Sequence, residues 1–283
     1  MQKNQDRSRE DKLLSSPEAL TNIVRRIAID AGEIIHDYYI HLDTLKIDIK
    51  QDASPVTEAD REAERFIKAA LEKNCPTVPM IGEETVAMNT ADTITDKDDY
   101  FWLVDPLDGT KNFIEGGEEF TVNIALIKNR QPVLGVIYAP IKEELYAGCG
   151  EGTAIRWTAE SGRDKAISVR QMPKHGLTVL ASQSAGSQNR LEDFLGQFKI
   201  QKLVRKSSSL KICTIAAGKG DIYARFGPTC EWDTAAGDAI LRSSGGLITD
   251  MKGMPLVYGG ENAEWLNPEF VAASFEWYAD EDA

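Results

Sequence analysis

One apolar run, Tyr100-Phe101-Trp102-Leu103-Val104, ends directly in Asp105-Pro106-Leu107-Asp108, and that junction limits the folds open to this chain more than any other stretch. Five consecutive apolar residues bounded by turn residues read as a buried strand. Pro106 brings no amide hydrogen to a ladder, so the strand is expected to end there. Two carboxylates, Asp105 and Asp108, then sit three residues apart on a tight turn at the strand's carboxyl end. Like charges so close repel unless something positive lies between them. A hard divalent cation, Mg²⁺ above all, meets that need with oxygen ligands.

The rest of the chain alternates helix and strand signals. Ile23, Ile27, Ala31, Ile34 and Ile35 recur at helical intervals over Pro17–Ile40, and a second helix is expected from Thr57 to about Lys73. Thr57 and Asp60 fit a capping box at its start. Val78 to Ile81 reads as a short strand ending in Gly82-Glu83-Glu84. Strand signals follow at Phe120–Ile127, Pro132–Tyr138 and Glu144–Cys149. After them Gly148, Gly150 and Gly152 punctuate the chain. That spacing predicts a tail over 1–16, a first half over 17–152 and a second half over 153–283. In the second half the strand signals are Leu177–Ala181, Lys202–Arg205, Asp221–Ala224 and Gly246–Thr249. Helices are expected from Ser187, from Ser208 and from Asp233 to about Ser243. Such alternation predicts layered helices and sheets in both halves.

Composition removes several function classes. A net charge of −13 repels a polyanion, so a nucleic-acid polymer is not an expected partner, whereas a small phosphorylated substrate is compatible with it. No apolar run approaches the roughly 18 residues that a membrane span needs. Met1 to Asp11 is polar, which argues against a secretory leader and for a flexible tail. Cys75, Cys149, Cys213 and Cys230 form no C-x-x-C pair and read as reduced thiols of a cytoplasmic protein. His36, His41 and His175 lack zinc-ligand spacing.

Glu83, Asp105, Asp108 and Asp233 all fall where a strand ends or a helix begins, and such junctions collect at one edge of a layered fold. Singly, Asp233 reads equally well as a helix N-cap, Glu83 as a solvated loop acid and Asp108 as a turn residue. Together, with the carbonyl of Leu107, they supply the hard oxygens that two or three Mg²⁺ ions take. Gly109 lets the backbone approach a ligand, and a helix starting at Thr110 would point amides at an anion. Asp60 on spacing alone reads as the capping-box acid. Lys206, Lys211 and Arg225 flank Ser207-Ser208-Ser209 and Arg225-Phe226-Gly227-Pro228-Thr229, where a second phosphate would find cations and hydroxyls. Lys111 stands beside the phosphate turn and is the best placed of the lysines.

In three places, and in this order, the chain resembles the lithium-sensitive, magnesium-dependent phosphatases of the inositol monophosphatase superfamily: Gly82-Glu83-Glu84, Asp105-Pro106-Leu107-Asp108-Gly109-Thr110 and Trp232-Asp233-Thr234-Ala235-Ala236-Gly237. With the intervening strands the likeness covers most of residues 17–275. Within the superfamily it is similar to the CysQ-type 3′(2′),5′-bisphosphate nucleotidases. That branch is suggested by Ser54-Pro55-Val56-Thr57-Glu58-Ala59-Asp60, by Thr110-Lys111-Asn112-Phe113-Ile114 and by Glu119-Phe120-Thr121-Val122-Asn123-Ile124-Ala125-Leu126-Ile127. Ser208-Ser209-Leu210-Lys211, Arg225 to Thr229 and Leu266-Asn267-Pro268 point the same way.

The resemblance implies an α+β fold, a layered α/β/α/β/α sandwich of the inositol monophosphatase / fructose-1,6-bisphosphatase type. It implies metal ligation by Glu83, Asp105, the Leu107 carbonyl, Asp108 and Asp233, and water activation by Thr110 with Asp60 or Glu83. Substrate contacts are implied for Glu83, Asp108, Gly109, Thr110, Lys111, Ser208, Lys211, Arg225 and Asp233. The implied reaction removes the 3′-phosphate of adenosine 3′,5′-bisphosphate to leave AMP, in sulfate assimilation, by direct attack of a metal-held hydroxide. A monomer is implied, cytoplasmic, with peripheral contact at the inner membrane as the alternative. The alternative substrates are inositol monophosphate or a sugar bisphosphate, because the metal motifs are shared. A non-catalytic nucleotide sensor would need a lost ligand, and Glu83, Asp105, Asp108, Thr110 and Asp233 are all present. One departure bears on nucleotide selectivity: Ser182-Gln183-Ser184-Ala185 stands where the branch often has Ser-x-Ser-His.

Overall fold

Two helices open the chain, α1 (Gln2–Leu14) and α2 (Pro17–Tyr39), in the computed structural model, which describes residues 2–50, 55–182, 188–260 and 265–278. The stretch expected as a flexible tail is therefore helical, and a buried acid anchors it. Glu10 Oε1 accepts hydrogen bonds from the amide and the hydroxyl of Thr77, each at 2.9 Å. α2 starts with Pro17, whose missing amide is harmless in a first turn. Its buried stripe includes Leu20, Val24, Ile27, Ala31 and Ile35. An antiparallel pair, β1 (Ile47–Ile49) and β2 (Pro55–Thr57), leads into α3 (Glu58–Asn74).

The first sheet has seven strands lying side by side in chain order: β3 (Met80–Gly82), β4 (Phe101–Asp108), β5 (Thr121–Lys128), β6 (Gln131–Ala139), β7 (Glu144–Gly148), β8 (Ile155–Thr158) and β9 (Asp164–Ala166). β3 runs parallel to β4, and every later neighbour is antiparallel. Short helices α4 (Glu83–Ala87) and α5 (Thr110–Ile114) leave the ends of β3 and β4. β4 does not stop at Pro106 as expected. It continues to Asp108, and its register against β5 shifts between Asp105 and Asp108, so an irregularity absorbs the missing donor. The boundary expected near Gly152 also moves, because β8 and β9 remain in the first sheet and the change of sheet follows Ala166.

The second sheet holds β10 (Leu177–Ser182), β11 (Ile200–Lys206), β12 (Ile222–Arg225), β13 (Leu247–Asp250) and β14 (Phe270–Ala273), in the order β11-β10-β12-β14-β13. β10 is parallel to both β11 and β12. β11 forms an edge, with Ile200 and Leu203 exposed and Lys202, Arg205 and Lys206 among them. Helices α6 (Gln188–Leu195), α7 (Leu210–Ala216) and α8 (Glu231–Ser243) complete the chain. Ser187 and Ala185 lie outside the described residues.

Strand alternation sorts the side chains into layers. Trp102 and Val104 of β4 pack with α2 and α3, whereas Phe101 and Leu103 pack with α7 and α8. α8 also meets β13, so α7 and α8 form the middle layer between the sheets. α6 covers the far face of the second sheet, where Phe194 meets Leu177, Val179 and Val271. The result is the five-layer α/β/α/β/α order. By the same alternation Asp105 points toward α8, at whose start Asp233 lies.

The middle layer sits close to the first sheet because β6 carries Gly135 where α8 crosses. A Cβ there would lie 2.3 Å from the carbonyl oxygen of Ala236 and 2.8 Å from the Ala239 Cβ. Backbone cannot retreat as a side chain can. Gly135→Ala should therefore destabilise the protein by about 2–3 kcal/mol, read as an earlier urea midpoint with unchanged slope; a wild-type midpoint would show that α8 shifts freely.

Candidate active site

The acidic edge is built from β4 outward. Asp105 is buried, and one of its oxygens accepts the Leu107 amide at 3.0 Å. Burial pushes its carboxyl well above the usual carboxylate range, and the negative charges of Glu83, Asp108 and Asp233 push it further. Asp233 is raised in the same way, by burial first and then by Asp108 and Glu83. It is not the N-cap of α8 but its third residue, and its Oδ2 accepts the Cys230 amide at 2.9 Å. Asn267 braces that turn, donating to the Cys230 carbonyl at 2.6 Å and to the Thr234 hydroxyl at 3.1 Å. Asp108 Oδ2 accepts from the Ser209 amide at 2.6 Å, the Ser209 hydroxyl at 2.8 Å and Asn123 Nδ2 at 3.4 Å.

Glu83 opens α4, where the Lys50 ammonium stands 2.5 Å from both Glu83 and Glu84. Burial alone would depress that ammonium, but the two carboxylates outweigh it and hold Lys50 above its ordinary range. Glu84 is itself pushed up to about 7 by burial, which Lys50 only partly offsets. Glu64, buried on α3, accepts the Glu84 and Thr85 amides, each at 2.8 Å, and so caps α4 from a neighbouring helix. This explains Gly82: a Cβ there would come within 2.6 Å of both Glu64 carboxylate oxygens.

Asp60 closes the expected capping box and also reaches Thr110. Its Oδ2 accepts the Thr57 amide at 2.8 Å and hydroxyl at 2.6 Å, closing the capping box. Its Oδ1 lies 3.2 Å from the Thr110 hydroxyl, which is also 3.1 Å from the Leu107 carbonyl. Burial moves Asp60 from 3.8 to about 6, against the pull of the Thr57 hydrogen bonds.

A cavity of about 200 Å³ opens beside Asp108 and Asp233 and reaches Ser208, Lys211 and Arg225. Gly109 lines it too, in the left-handed conformation at φ +98° that glycine allows. The Lys211 ammonium is buried, donates to the Ser208 carbonyl at 2.5 Å and sits 5.2 Å from the Tyr223 ring. Burial pushes it down to about 8. Among the described residues Arg225 Nε, which is buried, has no hydrogen-bond partner. Lys111 departs from expectation: its side chain is 80% exposed, pairs with Glu115 at 4.0 Å and is not part of the wall. On α5 it follows Thr110 by one residue, and a helix turns successive side chains about 100° apart.

Among the described residues no group of three or more His, Cys, Asp or Glu side chains is placed, as they stand, to hold a metal ion. Each acid is engaged instead, Glu83 by Lys50, Asp108 by Ser209 and Asp233 by Cys230. Lys50, Glu64, Glu84, Asn123 and Ser209 were not legible as site residues. Glu64 had one signal, a carboxylate on the apolar face that also carries Ala63 and Ile67.

A family model described as the inositol monophosphatase family matches residues 16–280. The 3′(2′),5′-bisphosphate nucleotidase CysQ of Escherichia coli (strain K12) is 39% identical over 247 residues, covering 87% of this chain and 96% of that protein. The crystal structure of CysQ from Bacteroides thetaiotaomicron, a bacterial member of the inositol monophosphatase family, superposes with a TM-score of 0.75. It is 34% identical and covers 93% of this chain and 100% of its own. An inositol monophosphatase from Zymomonas mobilis gives 0.72 at 27% identity, covering 92% and 94%.

The buried acids make a stability prediction. Between about pH 4 and 6 the native protein keeps on Asp60 a proton that the unfolded chain has released, so stability falls as pH rises through that window. The Asp60 share is roughly 3 kcal/mol. In chelator, the melting temperature should drop from pH 4 to 7, less steeply in Asp60→Asn. A flat or rising profile in the parent protein would contradict the burial of these charges.

Proposed function

The chain belongs to the inositol monophosphatase family, and from that membership we propose that it is a Mg²⁺-dependent phosphatase that converts adenosine 3′,5′-bisphosphate to AMP and phosphate, in sulfate assimilation. The observation that carries this reading is the contact of two regions of opposite charge. Asp108 and Asp233 belong both to the buried carboxylate cluster and to the wall of a cavity that also holds Lys211 and Arg225. One side suits cations and the other a phosphate distant from them, which fits a substrate with two phosphates. The relatives named as 3′(2′),5′-bisphosphate nucleotidases support the nucleotide.

Every donor on the acidic side is a hard oxygen, the set that Mg²⁺ takes. Glu83, Asp105, the Leu107 carbonyl, Asp108 and Asp233 would hold it, as two or three ions. Bound Mg²⁺ supplies the positive charge that acidifies water and neutralises the departing oxygen. The chain's own residues do the rest. Thr110 donates its proton to Asp60 or to the Leu107 carbonyl, which leaves its oxygen lone pair facing outward to orient a water. When Thr110 donates to Asp60, the proton that this water gives away passes to the Thr110 oxygen as the Thr110 hydroxyl proton moves to Asp60. Lys211, Arg225 and Ser208 receive the phosphate that is not cleaved. No described helix is long and apolar enough to cross a membrane, and no disulfide joins the four cysteines; a cytoplasmic monomer is the proposed setting.

Phosphate release from adenosine 3′,5′-bisphosphate should require Mg²⁺, fall with Li⁺ and exceed that from inositol 1-phosphate; the reverse preference would replace the nucleotide reading. Asp105→Asn should lower kcat about a hundredfold or more while its melting temperature in chelator stays level or rises. Near-normal turnover in that variant would remove Asp105 from the metal set.

A further inference from the structure

Glu119 takes no part in that chemistry and does not line the cavity, yet it grips the loop that forms one wall. That loop is Ser207-Ser208-Ser209, between β11 and α7. The Ser207 amide donates to Glu119 Oε2 at 2.9 Å, and the Ser209 amide donates to Asp108 Oδ2 at 2.6 Å. Two carboxylates that reach across from the first sheet's side thus hold the amides on either side of Ser208. Ser208 sits between them at φ +52°, a left-handed conformation that a residue with a Cβ adopts only under constraint. In that conformation its carbonyl receives the Lys211 ammonium at 2.5 Å. Glu119 is itself anchored, its own amide donating to Asn112 Oδ1 at 2.8 Å, with Lys206 Nζ 3.4 Å from its Oε1.

We propose that Glu119 is a positioning residue for the uncleaved phosphate: by holding the Ser207 amide it keeps the Ser208 carbonyl beneath Lys211, and so fixes the ammonium that the phosphate meets. The inference rests on the bisphosphate reading given above. A lysine carries its charge on a flexible stem, and an ammonium with a fixed acceptor is presented to an anion in one place. Without Glu119 the Ser207 amide loses its acceptor and Ser208 relaxes out of the left-handed region. Lys211 then samples many positions. Asp108 keeps the Ser209 amide and hydroxyl throughout, so the effect falls on recognition of the second phosphate and not on cleavage of the first.

Two substrates with the same leaving group separate these effects: adenosine 3′,5′-bisphosphate and adenosine 3′-monophosphate, which lacks the 5′-phosphate. The readout is the ratio of their kcat/KM values. Glu119→Ala and Glu119→Asp should lower that ratio about tenfold or more, through the KM of the bisphosphate, with turnover of the monophosphate within about threefold of the parent. Glu119→Gln keeps an acceptor oxygen at the same reach and should keep the ratio within about threefold. Glu119→Asp and Glu119→Gln decide the matter should Glu119→Ala not fold. Equal losses on both substrates, or an unchanged ratio in Glu119→Asp, would overturn the inference. So would loss in Glu119→Gln with retention in Glu119→Asp, which would assign the effect to charge. A parent protein that does not prefer the bisphosphate would instead overturn the reading on which the inference rests.

Discussion

The enclosure of several like charges at one end of β4 is the constraint on which the site depends. Asp105 is buried and Asp233 half-buried, both close to Glu83 and Asp108, and burial together with those neighbouring charges raises the proton affinity of Asp105 and Asp233. A fold keeps such groups together only if the surrounding backbone is fixed by other means. Here the means are visible. The irregularity at Pro106 directs two acids from one strand end, Glu64 caps α4 beneath Glu83, and Asn267 secures the first turn of α8. The supports come from three separate parts of the chain, and none of them lines the cavity.

That division explains what could be read in the sequence. The buried strand before Asp105 was legible because five apolar residues in a row admit few other readings, and the layering of helices on sheets followed from alternating helix and strand signals, whereas the five-layer order came with the family resemblance. Asp105, Asp108 and Asp233 were legible as candidate-site residues because each falls near an element boundary, and Thr57 with Asp60 because a capping box has fixed spacing. α1 was not legible, since it is held by one buried glutamate, whose partner Thr77 lies 67 residues away, and by only two leucines, Leu13 and Leu14, packed against the core. β4 outran its proline because a register shift relieves it, which propensity cannot foresee. Lys111 misled because nearness in sequence is not nearness in space on a helix. The roles of Glu64, Ser209 and Glu119 depend on amides brought in from elsewhere by the fold.

Close packing joins these parts into one unit. α8 carries Asp233 at its start and rests on Gly135 of β6 along its length, so the acid's position is set by sheet contacts well away from it. The second sheet reaches the same edge through Ser209, whose amide and hydroxyl meet Asp108 while its hydroxyl lies 3.0 Å from the Asp233 carbonyl. The two sheets are therefore stitched together at the point where the chemistry is proposed to occur.

The edge strand β11 has a consequence of a different kind. An outermost strand with open backbone groups invites pairing with another molecule, and Ile200 and Leu203 make this one sticky. Lys202, Arg205 and Lys206 set positive charge along the same rim. Two such rims meeting head-on repel, so the strand carries its own guard against fibril-like stacking in a crowded solution. Neutralising Lys202 and Arg205 would weaken the guard while leaving the Lys206–Glu119 contact in place.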